Sequence, residues 1–139
     1  MNAATIVRAQ GRWHEADDTA RHSWVRLSRK LGPDHPYAIL AANNVATGLY
    51  LDGHYGHARH MSKPVLVNAT RRYDSGHPDL LVLTANAGLD VSAGGDDAGE
   101  SMWQAAVDEL AQVLSPEHPT VRRLRSRERL ELQIEPPPL

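Results

Sequence analysis

Leu31-Gly32-Pro33-Asp34-His35-Pro36, then Asn43-Asn44-Val45-Ala46, then Leu51-Asp52-Gly53-His54-Tyr55 form the stretch that decides the fold of this 139-residue chain. Glycine and proline fall only at its joints, and between them Leu40, Val45, Ala46 and Leu49 follow helical spacing. Asp52-Gly53 ends that run as a helix C-terminus ends. Pro36 sits in the first helical turn, where its missing N–H is not needed, and holds His35 extended. Upstream, Trp13, Ala16, Ala20, Trp24, Leu27 and Leu31 mark a second helix that Gly32-Pro33 closes. The unit is helix, short turn, helix.

The unit recurs. Gly11, Gly53 and Gly95 lie 42 residues apart, as do Asn2, Asn44 and Asn86. His35, His77 and His118, each followed by proline, lie 42 and then 41 residues apart. Such a chain stacks similar units, each burying its apolar face against its neighbours. The pattern predicts helices over 2–10, 12–31, 36–52, 54–73, 78–93, 97–114 and 118–133, and no strands. Helix 2–10 aligns with the second half of 44–53, so the chain opens in mid-repeat; a preceding segment or a helix from another chain is expected over that end. Pro64 predicts a kink or break near 60–64. Residues 1–133 read as one repeat domain, and the proline-rich 134–139 as an extended tail.

Composition narrows the function classes. A chain 41% hydrophobic and 23% charged buries a continuous core, and its formal charge of −2 gives no general attraction to nucleic acid or anionic membranes. No segment approaches the ~20 apolar residues of a membrane span, and no signal-peptide pattern opens the chain. Zero cysteines exclude disulfides and thiolate zinc sites and fit a reducing compartment; a cytoplasmic location is expected.

The motifs at 31–36, 43–46 and 51–55 resemble the 42-residue tetratricopeptide repeat of the kinesin-light-chain type. The resemblance covers about residues 2–133 and is strongest from 31 to 59. Asp97, standing where Trp13 and Tyr55 stand, departs from it, as does Glu128 in a place held by Val45 and Ala87. It implies an all-α superhelix, a solenoid of about three helix-turn-helix repeats with six to seven helices. It also implies a protein-protein interaction module whose concave groove takes an extended peptide or a partner helix. Similar arrays are abundant in actinobacterial signalling proteins, often after a nucleotide-binding switch domain, as sensor or scaffold. The asparagine-bearing helix of each pair is expected to line the groove.

On that basis Leu40, Asn43, Asn44 and Thr47, spaced i, i+3, i+4, i+7, are expected in the groove, with Val82, Ala85, Asn86 and Leu89 in the next repeat. An asparagine offers a donor and an acceptor, so it can bond a peptide's main chain without reading its side chains; it can equally bond a neighbouring helix's backbone. Arg123 and Arg127, four apart at the places of Val82 and Asn86, are expected to hold an acidic or C-terminal carboxylate in a partly matched clamp. Their alternative is a solvated basic surface, and a one-residue slip of the last helix would turn them there. Nucleic acid is not expected, since no aromatics interleave the run Arg122 to Arg129. His54, His57 and His60 have steps that suit a metal, but no cysteine or nearby carboxylate completes a set, so no metal and no cofactor is expected. Neither a phosphate loop nor a nucleophile elbow is present, and no enzymatic activity is expected. The rival function is self-association through exposed repeat ends, with no peptide ligand.

Overall fold

The computed structural model describes residues 13–132, with side chains from residue 18 onward. The expected helix 2–10 and the tail 134–139 lie outside the described residues. Within them the chain is all-helical: α1 (Trp13–Leu31), α2 (Pro36–Leu51), α3 (Tyr55–Arg72), α4 (Pro78–Ala93), α5 (Ala98–Leu114) and α6 (Pro119–Arg125). Helices that are neighbours in the chain pack on one another, as in a repeat superhelix.

Local chemistry accounts for the starts. His35, His77 and His118 cap α2, α4 and α6: each Nδ1 accepts the main-chain N–H two residues on, from Tyr37, Asp79 and Thr120, at 3.1 Å. Each ring therefore satisfies a donor that the helix leaves open. Asp96 does the same for Ala98 of α5 at 3.0 Å. Gly32 and Gly53 turn the chain at φ of 91° and 83°, in the left-handed region.

Two kinds of helix result. In α2 every residue from Ala38 to Leu49 except Leu40 is buried, and α4 is similarly enclosed from Leu81 to Asp90. Apolar residues all round such a helix place it inside. The other long helices bury one stripe: Ala58, Val65 and Ala69 in α3, and Trp103, Ala106, Val107, Leu110 and Ala111 in α5. α3 runs through Pro64 without a break, so of the expected kink or break the break is excluded. Pro64 and His60 are both exposed, so the hydrogen bond that proline forfeits lies on the solvent side, while Ser62, Val65 and Ala69 hold the opposite face.

The largest difference is at the end. The expected helix 118–133 stops at Arg125. Arg127 adopts φ 64°, its N–H bonds Leu124 O at 2.8 Å, and Glu128 N–H bonds Arg123 O at 3.2 Å. This pair of bonds is a Schellman turn. It satisfies the last carbonyls of α6 and sends residues 128–132 away from the helix axis.

The main chains of α4 and α5 come close together at Gly88 and Gly99. A Cβ on Gly99 would stand 2.3 Å from Ser92 N and 2.5 Å from Gly88 O. Gly99→Ala is therefore expected to force these helices apart, costing about 1–3 kcal/mol in urea unfolding, whereas Gly56→Ala, whose Cβ meets nothing within 4 Å, should not destabilise.

Candidate functional site

The inner helices α2 and α4 carry polar residues inside otherwise apolar surfaces, and residues 128–132 lie over them. Asn43 on α2 and Asn86 on α4 are each 1% exposed. Their Nδ2 groups both donate to the main-chain oxygen of Leu130, at 3.1 and 2.7 Å. Leu130 N–H in turn donates to Asn86 Oδ1 at 3.0 Å, and Asn86 Nδ2 also reaches Asn43 Oδ1 at 3.2 Å. Both main-chain polar groups of Leu130 are thus held by side chains of α2 and α4.

The residue before it carries the charge. Arg129 Nε and Nη2 donate to the two oxygens of Asp90, each at 3.0 Å, in a pair whose side chains are 1% and 0% exposed. Arg129 Nη1 donates to Thr47 Oγ1, to Asn43 Oδ1 at 3.2 Å and to Asn43 O at 3.3 Å. Nη2 also donates to Ser62 Oγ at 3.1 Å, and Ser62 Oγ donates to Asp90. Thr47 Oγ1 donates to Asn43 O at 2.9 Å. Every nitrogen of the guanidinium has an acceptor, the condition under which a buried charge is tolerated.

Apolar contacts complete the site. Leu130 joins the cluster of Val82, Ala85, Leu89, Trp103, Val121 and Leu124, and Leu132 packs half-buried against this cluster and that of Ile39, Ala42 and Leu83.

The expected residues divide as follows. Asn43, Thr47 and Asn86 meet at the segment; Val82 and Leu89 are in the core cluster beneath it; Leu40 is half-buried. Asn44 is buried, and its Oδ1 has no hydrogen-bond partner among the described residues. Arg123 and Arg127 do not face the groove, which corrects their expected placement. Arg123 pairs with Glu128 at 3.0 Å, in an exposed position beside a shallow depression lined by Pro119, Arg122 and Ser126. Arg127 pairs with Glu100 through two bonds of 3.0 Å and stacks over Trp103 at 4.8 Å. Arg123 lies within α6, but the helix ends before Arg127, so the two do not share one helical face. Asp90, Ser62 and Arg129 escaped the reading of the sequence, although Asp90 is the one charged residue between Leu80 and Ala93 and follows Asn86 by four.

His54 and His57 have ring centroids 6.1 Å apart and, with His60, line a cavity of about 370 Å³ together with Arg21, Trp24 and Met61. Among the described residues no group of three or more histidines and carboxylates is placed to hold a metal ion. Among them, too, no helix is long and apolar enough to cross a membrane.

The helical repeat seen in the fold has a counterpart in a family comparison. Residues 1–37 match the tetratricopeptide repeat family. The match ends on the second residue of α2 and includes the motif Leu31 to Pro36. No curated protein matches the chain. A tetratricopeptide repeat indicates a protein-protein interaction module, from a family of generally non-enzymatic domains.

Arg129→Ala leaves Asp90 buried and unpaired between α2, α3 and α4 and should cost about 3–5 kcal/mol in chemical unfolding. Arg129→Lys should recover only part of it, because an ammonium cannot bond both Asp90 oxygens in one plane. At the rim, the hydrogen bonds from Arg127 hold the Glu100 carboxyl below the ordinary glutamate value. Its contribution is then complete above the unfolded-state pKa and lost as pH falls through the lower folded value. The difference in Tm between wild type and Glu100→Gln should accordingly shrink on acidification through the glutamate range.

Proposed function

We propose that the α2–α4 groove binds an extended segment of a partner protein by its main chain, as the sensor or scaffold part of a larger regulatory protein. One observation carries this reading: Asn43 and Asn86 together take the N–H and C=O of Leu130. Those bonds use atoms common to every residue but proline, so the same pair of amides serves a foreign strand as well as residue 130. In the present conformation the chain's own segment fills the place. An acidic or carboxylate ligand draws no support from Arg123 and Arg127, whose guanidinium groups already face Glu128 and Glu100 outside the groove.

The test is affinity capture with the whole chain, comparing wild type, Asn43→Ala/Asn86→Ala and Arg123→Ala/Arg127→Ala, each verified as helical by circular dichroism. The asparagine variant should lose the proteins that wild type enriches, and the arginine variant should retain them. Retention by the asparagine variant would move recognition off the groove. A mass that rises with concentration, unaffected by the asparagine changes, would favour self-association instead.

A further inference from the structure

The groove's amides are indifferent to sequence, but the acceptors beside them are not. Around the Arg129 guanidinium stand both oxygens of Asp90, the main-chain and side-chain oxygens of Asn43, and the hydroxyls of Thr47 and Ser62. Four of these six are carbonyl or carboxylate oxygens, able only to accept, and Asp90 has no exposed surface. A carboxylate placed there would face acceptors and a like charge. An aliphatic side chain would leave Asp90 buried without a counter-charge, and an ammonium would lack the planar fork. Just beyond, Leu130 is 4% exposed among Leu81, Val82, Leu89 and Leu124, and Leu132, two residues on, is half-buried.

We infer that the groove is selective for an extended segment with arginine followed by an apolar residue, a second apolar residue two positions later adding contact, and that a partner peptide of this kind exchanges with residues 128–132. This rests on the proposed reading of the groove as a peptide site and adds the chemistry of its ligand. The segment is built to exchange. It is joined to α6 by a left-handed residue, Arg127 at φ 64°, at which the Schellman turn has already satisfied the helix end. Departure of 128–132 removes Leu130 from the core and Arg129 from Asp90, so the incoming segment must replace both contacts. The partner competes against an occupant tethered in the same chain, whose effective concentration is on the order of millimolar. Exchange is therefore favoured where the internal arginine is weakened or the partner binds a second place as well.

The experiment uses the full chain with Arg129→Gln and a fluorescein-labelled, end-capped heptapeptide, Ser-Arg-Glu-Arg-Leu-Glu-Leu, copied from residues 126–132. Anisotropy should show saturable binding to Arg129→Gln, at least ten-fold tighter than to wild type. Replacing the peptide's second arginine by alanine or lysine should weaken binding at least ten-fold, and so should Asp90→Asn in the same protein. Equal binding of the arginine and alanine peptides would overturn arginine selectivity while leaving the groove as a peptide site. Binding of neither peptide to a folded Arg129→Gln variant would overturn both. If that variant does not fold alone, the heptapeptide is titrated into wild type and exchange of the Leu130 amide, held by Asn86, is followed. Arginine-dependent acceleration supports the inference, and unchanged exchange at saturating peptide overturns it.

Discussion

A carboxylate with no exposed surface cannot remain charged in an apolar array without a cation against it, and Asp90 meets that demand through Arg129, 39 residues later. Much else follows from the pair. To reach Asp90 the chain must leave the helical path after Arg125, and the Schellman turn at Arg127 is where it does so. Once there, Arg129 ties α2 through Asn43 and Thr47, α3 through Ser62 and α4 through Asp90. One side chain thus spans three helices of the stack. A buried ion pair contributes less to net stability than its Coulomb attraction suggests, because both groups lose water. Its consequence is geometric: a bidentate fork accepts one arrangement of the segment and rejects others.

The asparagines act on the same segment by different chemistry. Asn86 offers its amide N–H to the Leu130 carbonyl and its amide oxygen to the Leu130 N–H, and Asn43 adds a second donor. Main chain and side chain are therefore recognised separately, the first without regard to sequence and the second through charge and planarity. The inner position of α2 and α4 makes both possible. Each is enclosed on nearly all sides, so its polar residues are protected from water and their hydrogen bonds are not weakened by competition.

Legibility followed the range of the interaction. The histidine caps, the proline starts and the glycine turns act within two or three residues, and their spacing exposed the repeat, five helices whose ends fall within a few residues of expectation and the start of the sixth. Asn43 and Thr47 were legible as one face of α2 because helical geometry relates them directly, and Asn86 as the counterpart of Asn44 one repeat on. Arg129 was not. It sits in a run of five arginines between 122 and 129, and nothing local separates it from Arg123 or Arg127, which pair with glutamates at the surface. Asp90 left a fainter trace, a lone charge in an apolar helix, whose meaning depends on a partner far along the chain.

By itself, then, the sequence determined the helical unit, its period and the residues that turn or cap it, since these rest on backbone preferences and on hydrogen bonds between near neighbours. Tertiary structure alone decided that the last helix is seven residues long and that the chain doubles back into its own groove. No helix breaker stands at Ser126 or Arg127. The break is favourable only because Asp90, Asn43 and Asn86, assembled by the stacking of α2 on α3 and of α3 on α4, supply the buried partners that a continued helix would not meet.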